Sequence, residues 1–201
     1  MIGEIIQKDI TSSEILGKIV FPSHEIQKIV KQLGEKITID YKNKDLIIIC
    51  ILKGAVIFFA DLIKYIDLPF SVDFMSISSY GFKESNSGIV KITKDLDENI
   101  EGKDILIVED IIDTGLTLSY LIRNLSVREP KSIEVCTLID RSVRRIADIK
   151  IKYVGFKLEE KYVVGYGLDY KQKYRNLQSI YELKTDTIKK DIELLKATLN
   201  K

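Results

Sequence analysis

Between Ser23 and Gly34 the apolar residues Ile26, Ile29, Val30 and Leu33 recur at helical spacing, which predicts an amphipathic helix capped by Ser23 and closed by Gly34. The pattern then switches. Residues 45–52 are almost continuously apolar and β-branched, as in a strand covered on both faces, and the run breaks at Lys53-Gly54 before a dense helical stretch over 55–66. Residues 70–77 alternate apolar and polar positions as a half-buried strand does, and the polar, glycine-bearing stretch 78–88 reads as a long loop. Further strands are expected at 89–93, 104–109 and 133–139, with a helix at 116–125 between the last two. Looser strands follow near 153–156 and 162–165. A C-terminal amphipathic helix over about 186–199 carries Ile188, Ile192, Leu195 and Leu199 on one face. Strands that alternate with helices mark a parallel sheet covered by helices, so the fold class is α/β.

Composition narrows the functional classes. The 201 residues hold 31 basic and 30 acidic side chains, a formal charge of +1, which provides no net field for a nucleic-acid backbone or an acidic membrane. Any phosphate binding must be local. No apolar run approaches the roughly 20 residues of a spanning helix. The N-terminal Met1-Ile2-Gly3-Glu4 has no signal-like apolar stretch, so a cytoplasmic location is expected. With three prolines and no Gly/Ser-rich linker, residues 1–201 read as a single domain. Cys50 and Cys136 each sit inside an apolar run and read as core residues, and the lone His24 reads as a solvated first-turn position.

The chemistry concentrates after the strand expected at 104–109, in Glu109-Asp110-Ile111-Ile112-Asp113-Thr114-Gly115-Leu116-Thr117. Ligands of open α/β sheets bind at the carboxyl ends of strands. Thr114, Gly115, Leu116 and Thr117 at a helix start offer backbone N–H groups and two hydroxyls to a monophosphate. Glu109 and Asp110 suit the two hydroxyls of a ribose, because carboxylates accept the hydrogen bonds a diol donates. Neither a dinucleotide G-x-G-x-x-G nor a P-loop G-x-x-x-x-G-K-[ST] occurs.

The string from Val108 to Leu118 resembles the phosphoribosyl-pyrophosphate motif of type I phosphoribosyltransferases, in the form found in the hypoxanthine-guanine members. Leu52-Lys53-Gly54 resembles the family's pyrophosphate loop, where a non-proline cis peptide joins the Leu and Lys positions. Ser79-Tyr80 resembles the Ser-Tyr pair of the lid over the reacting centre. Lys161 to Tyr170, followed by Arg175, resembles the segment that makes the purine pocket and completes the pyrophosphate and metal site. The likeness runs from about Val20 to about Leu183, in order.

That resemblance implies an open, mainly parallel twisted sheet flanked by helices, with a small hood built from terminal segments. It places the core at about 20–140 and the hood mainly at about 141–183. It further implies purine salvage: Mg²⁺-dependent transfer of ribose 5-phosphate from phosphoribosyl pyrophosphate to N9 of hypoxanthine or guanine. By family position, Asp113 is the general acid/base, and Leu52, Lys53, Gly54 and Arg175 serve the pyrophosphate. Tyr162 stacks on the purine while backbone groups around Val163 and Asp169 meet its exocyclic edge. Asp169, with Glu109 and Asp110, supplies carboxylates for Mg²⁺. Small-molecule substrates, no nucleic acid, no membrane and a homodimer or homotetramer complete the expectation.

One position departs from the family pattern. Arg141 stands where a Lys usually reads O6 of the purine, and Arg144 and Arg145 are alternatives for that task. The swap is not conservative. It opens a base preference shifted towards xanthine. A second alternative is a nucleotide-sensing RNA-binding regulator on the same fold, as in the pyrimidine attenuation proteins. The balanced charge, and the overlap of the basic clusters 141–145 and 171–175 with the ligand segments, favour the enzyme.

Overall fold

The computed structural model describes residues 15–80, 89–184 and 186. Among them, two compact units separate, one made of 15–23 with 161–184 and 186, the other of 24–80 with 89–160.

The larger unit is a six-stranded sheet in the order β4-β3-β2-β5-β6-β7. Its strands are β2 (Leu46–Leu52), β3 (Ser71–Tyr80), β4 (Ile89–Lys94), β5 (Asp104–Ile112), β6 (Ser132–Asp140) and β7 (Tyr153–Lys157). Every neighbouring pair is parallel except β3 with β4, as expected for the α/β class. β7 is the edge strand of this sheet, so 141–160 lie with the larger unit and not with the hood segments expected there.

Alternation along β2 and β5 sends side chains to opposite faces. Ile47, Ile49, Ile105 and Ile107 join Leu118, Leu121 and Leu125 of α3 (Leu116–Ser126) in one apolar cluster. On the other face, α2 (Val56–Leu62) packs its buried Phe59 edge-on against Phe74, at 5.6 Å between ring centres. α2 is shorter than the expected 55–66, because the chain tightens into a 3₁₀ turn at Ile63–Tyr65.

Gly34 does not close the first helix. α1 runs from Ser23 to Asp40 and buries Ile26, Val30, Leu33, Gly34 and Ile37. A Cβ on Gly34 would lie 2.5 Å from Cβ of Tyr65, so this glycine permits close packing of the helix against the turn after α2.

The smaller unit is an antiparallel sheet, β1 (Leu16–Phe21), β9 (Ile180–Leu183) and β8 (Val163–Val164), with Leu16, Val164, Leu177, Tyr181 and Leu183 as its core. β1 and β9 went unanticipated in the sequence pattern. The C-terminal helix beyond Asp186 lies outside the described residues, as does most of the 78–88 loop. Among the described residues no helix is long and apolar enough to cross a membrane.

Candidate active site

β2 and β5 are parallel neighbours, with Cys50 beside Val108, so Lys53-Gly54 after β2 and Glu109-Asp110 near the end of β5 lie towards the same end of the sheet. The chain after β2 moves to β3 on one side, and the chain after β5 moves to β6 on the other. This is the reversal point at which open α/β sheets bind ligands. The Leu52–Lys53 peptide is cis, as the loop resemblance implied. Lys53 is exposed, while a Cβ on Gly54 would fall 1.7 Å from Oδ2 of Asp110. The bare glycine therefore lets the acid pair and the loop come together. Burial, then the neighbouring Asp110 carboxylate, pushes the Glu109 carboxyl well above the usual range.

The segment from Glu109 to Leu118 lines an open cleft of about 150 Å³, with Asp113, Thr114, Gly115 and Thr117 on its wall. Gly115 sits at the N-cap of α3 with φ +79°, a left-handed backbone that favours glycine. Leu116 and Thr117 are exposed in the first turn, where helical N–H groups have no carbonyl partner within the helix. The segment thus brings together a glycine turn, a helix start and a flanking hydroxyl.

Asp113 is gripped by the loop after β6. Its Oδ2 accepts a hydrogen bond from Arg144 Nη1 at 3.0 Å and lies 3.5 Å from Arg141 Nη1. Its Oδ1 is buried and has no hydrogen-bond partner among the described residues. Arg145 donates from Nε to the Asp113 carbonyl at 3.0 Å and pairs its Nη2 with the Asp140 carboxylate. All three arginines left open by the sequence converge on this segment, and Arg141 is the most buried of them, at 6% exposure. The hold on Asp113 by Arg145 and the partnership with Asp140 were missed. The Arg-Arg pair following a buried strand was the available signal.

The smaller unit gathers the remaining candidates. Arg175 Nη2 pairs with Asp169 Oδ1 at 2.7 Å, and Arg175 Nη1 donates to the Gly167 carbonyl at 2.7 Å. Gln172 N–H donates to Asp169 Oδ2 at 2.8 Å. Positive φ at Tyr166, Lys171, Gln172 and Tyr174 gives this loop an unusually contorted backbone. Val163 is half-buried in β8, and Tyr162 is 50% exposed, outside the strand expected to contain it.

Ser79 and Tyr80 end β3, opposite Val90 and Ile89, and the rest of the expected lid lies outside the described residues. Cys50 and Cys136 are buried core thiols, and burial pushes Cys50 up to about 12. His24 is exposed. Among the described residues no group of three or more His, Cys, Asp or Glu side chains comes together as a metal cage.

Comparison with known proteins extends this geometry. Residues 18–171 match the family described as phosphoribosyl transferase domain. The chain is 53% identical over 169 residues to the hypoxanthine-guanine phosphoribosyltransferase of Bacillus subtilis, covering 84% of this chain and 94% of that one. A solved hypoxanthine phosphoribosyltransferase from Staphylococcus aureus superposes with a TM-score of 0.80 at 47% identity, covering 86% of this chain and 95% of that one. A solved hypoxanthine-guanine-xanthine phosphoribosyltransferase superposes with a TM-score of 0.77 at 42% identity, covering 84% and 98%.

Proposed function

The chain belongs to the phosphoribosyl transferase family, and from that premise we propose that it is a purine-salvage enzyme that transfers ribose 5-phosphate from phosphoribosyl pyrophosphate to N9 of hypoxanthine or guanine, releasing pyrophosphate. The observation that carries the reading is the meeting, at the β2/β5 reversal, of the Lys53-Gly54 loop, the Glu109-Asp110 pair and the Thr114–Thr117 turn.

In this reading the chain positions two substrates and excludes water, and performs little covalent work itself. N–H groups of the 114–117 turn and the Thr117 hydroxyl hold the 5-phosphate. Glu109 and Asp110 hold the ribose hydroxyls, and Lys53-Gly54 and Arg175 serve the pyrophosphate. As the bond from ribose C1 to pyrophosphate oxygen breaks and the bond to N9 forms, the base must lose one N–H proton. Asp113 Oδ1, buried and without a hydrogen-bond partner among the described residues, is the acceptor for it. Tyr162 stacks on the purine, with backbone groups around Val163 and Asp169 at its exocyclic edge.

The donor set suits Mg²⁺. Carboxylates stand in ones and twos, Asp169 alone and Glu109 with Asp110, and such hard oxygens fit an ion that keeps waters and takes most ligands from a substrate. When bound, the ion neutralises charge on the departing pyrophosphate. A cytoplasmic location and a homodimer or homotetramer belong to the same proposal.

The test is an assay with phosphoribosyl pyrophosphate, Mg²⁺ and each of hypoxanthine, guanine, xanthine and adenine. Asp113→Asn is expected to keep phosphoribosyl pyrophosphate binding and to lose about 10²–10⁴-fold in turnover, the scale of a general acid/base group. Unchanged turnover would remove Asp113 from the mechanism. Xanthine use is the second reading, favoured by Arg141, whose additional donors can meet an anionic oxygen.

A further inference from the structure

Every main-chain carbonyl of residues 112–114 accepts a hydrogen bond from the loop that follows β6. Arg141 N–H donates to Ile112 O at 2.9 Å, Arg145 Nε to Asp113 O at 3.0 Å, and the N–H groups of Ile146 and Ala147 to Thr114 O at 2.9 and 3.0 Å. Arg145 is the one side chain in this set. We propose that Arg145 is a positioning residue that fixes the Asp113 carboxylate and the Thr114–Thr117 turn to the base-reading loop, so that purine and 5-phosphate are recognised as one unit. The inference rests on the reaction proposed above and assigns a residue that reading leaves without a role.

The guanidinium has two engaged edges. Nε holds the carbonyl of Asp113, and Nη2 is anchored on Asp140 at the end of β6, with both side chains more than four-fifths buried. The Arg145 stem occupies the space beside Gly115, where a Cβ would lie 2.9 Å from its Cδ. One side chain therefore touches the acid/base residue, the glycine of the phosphate turn and the end of the strand that leads to Arg141. Loss of the Arg145 side chain would free the Asp113 carbonyl alone, while the main-chain N–H groups of Arg141, Ile146 and Ala147 still hold Ile112 and Thr114. Arg144 and Arg141 would still hold the carboxylate, which would lose its fixed angle to the phosphate turn. Coupling of this kind is reciprocal: ordering by the base tightens the phosphate turn, and phosphate tightens the base loop.

Arg145→Met keeps an apolar stem beside Gly115 and removes both polar contacts. Turnover at saturating substrates is expected to fall about 10–100-fold, the scale of a lost hydrogen bond from a charged group. Free guanidinium at non-denaturing concentration should restore part of it, and Arg145→Lys should retain an intermediate rate. In a double-mutant cycle with Thr117→Ala, read as affinity for the nucleoside 5′-monophosphate product, the two losses should be non-additive. A purely structural role would lower the unfolding midpoint and activity together, without guanidinium rescue and with additive losses. That result, or wild-type turnover in Arg145→Met, overturns the inference while leaving the transferase reading intact. An unsubstituted chain that releases no pyrophosphate from phosphoribosyl pyrophosphate and hypoxanthine defeats the reading itself, and the inference with it.

Discussion

Gly54 lies beneath the carboxylate of Asp110, so close that a Cβ would fall 1.7 Å from Oδ2. The obstructing atom is the end of a short side chain, which can swing away, so the cost of a methyl group here falls on the site rather than on the fold. The contact joins two segments 56 positions apart in the chain that the proposed mechanism uses together.

Gly54→Ala is accordingly expected to unfold close to the wild-type midpoint and to bind phosphoribosyl pyrophosphate more weakly by about 1–3 kcal/mol, the scale of one displaced charged hydrogen-bonding group. Paired calorimetry and a KM measurement check this. A normal KM would show that the Asp110 position is immaterial to the substrate.

Gly34→Ala should behave in the opposite way. Here the added Cβ meets the Tyr65 Cβ at 2.5 Å and its backbone oxygen and carbon at 2.8 and 2.9 Å, and backbone cannot swing aside. Helix propensity favours alanine by about 1 kcal/mol, but overpacking costs about 1–3 kcal/mol. A lowered unfolding midpoint with unaltered turnover per folded molecule is the expected outcome, measured by thermal denaturation beside the assay.

Gly34 also marks where sequence reading stopped short. A glycine after a helical run suggests a helix end, and only the approach of Tyr65, 31 residues away, reveals a packing role. β5 was legible as far as Glu109. It runs on to Ile112 because Ile111 and Ile112 keep pairing with Ile139 and Asp140 of β6, a partner that local pattern does not show. β1 and β9 pair across some 160 residues of chain, a partnership that local pattern does not show. The phosphate turn was legible because its residue types state their chemistry. The division of labour among Arg141, Arg144 and Arg145 was not, since three like charges within five positions differ only in what they touch.

Tyr153 offers a pH test remote from the proposed chemistry. Its buried hydroxyl donates to Asp40 Oδ2 at 2.7 Å. That bond, opposed by burial and aided by Lys152 and Lys36, holds the Asp40 carboxyl below its ordinary value. A carboxyl lowered by folding contributes stability above its unfolded pKa, and the contribution disappears as pH falls through the folded value. Tyr153→Phe should therefore cost about 1–3 kcal/mol near neutrality, as for a lost bond to a charged group. The gap from wild type should narrow as pH drops below the ordinary carboxylate range. Denaturant titrations at several pH values check this, and a gap independent of pH would assign the cost to packing instead.

Arg141 decides base selectivity if it reads O6. It is 6% exposed, and its Nη1 lies 3.5 Å from the Asp113 carboxylate, so a charged donor is held beside the proposed acid/base group. A guanidinium only donates, and the 6-amino group of adenine mainly donates too, which sets hydrogens face to face. Adenine should be rejected, because a site built around one hydrogen bond discriminates strongly against an analogue that lacks the acceptor. Arg141→Ala should impair use of every 6-oxopurine more than binding of phosphoribosyl pyrophosphate. Arg141→Lys should keep activity with an altered order among hypoxanthine, guanine and xanthine, since an ammonium lacks the planar pair of donors. Steady-state kinetics on the four bases with each variant provide the measurement. Selectivity surviving intact in Arg141→Ala would transfer the O6-reading role to Arg144, whose guanidinium reaches the same Asp113 oxygen at 3.0 Å from a more exposed position.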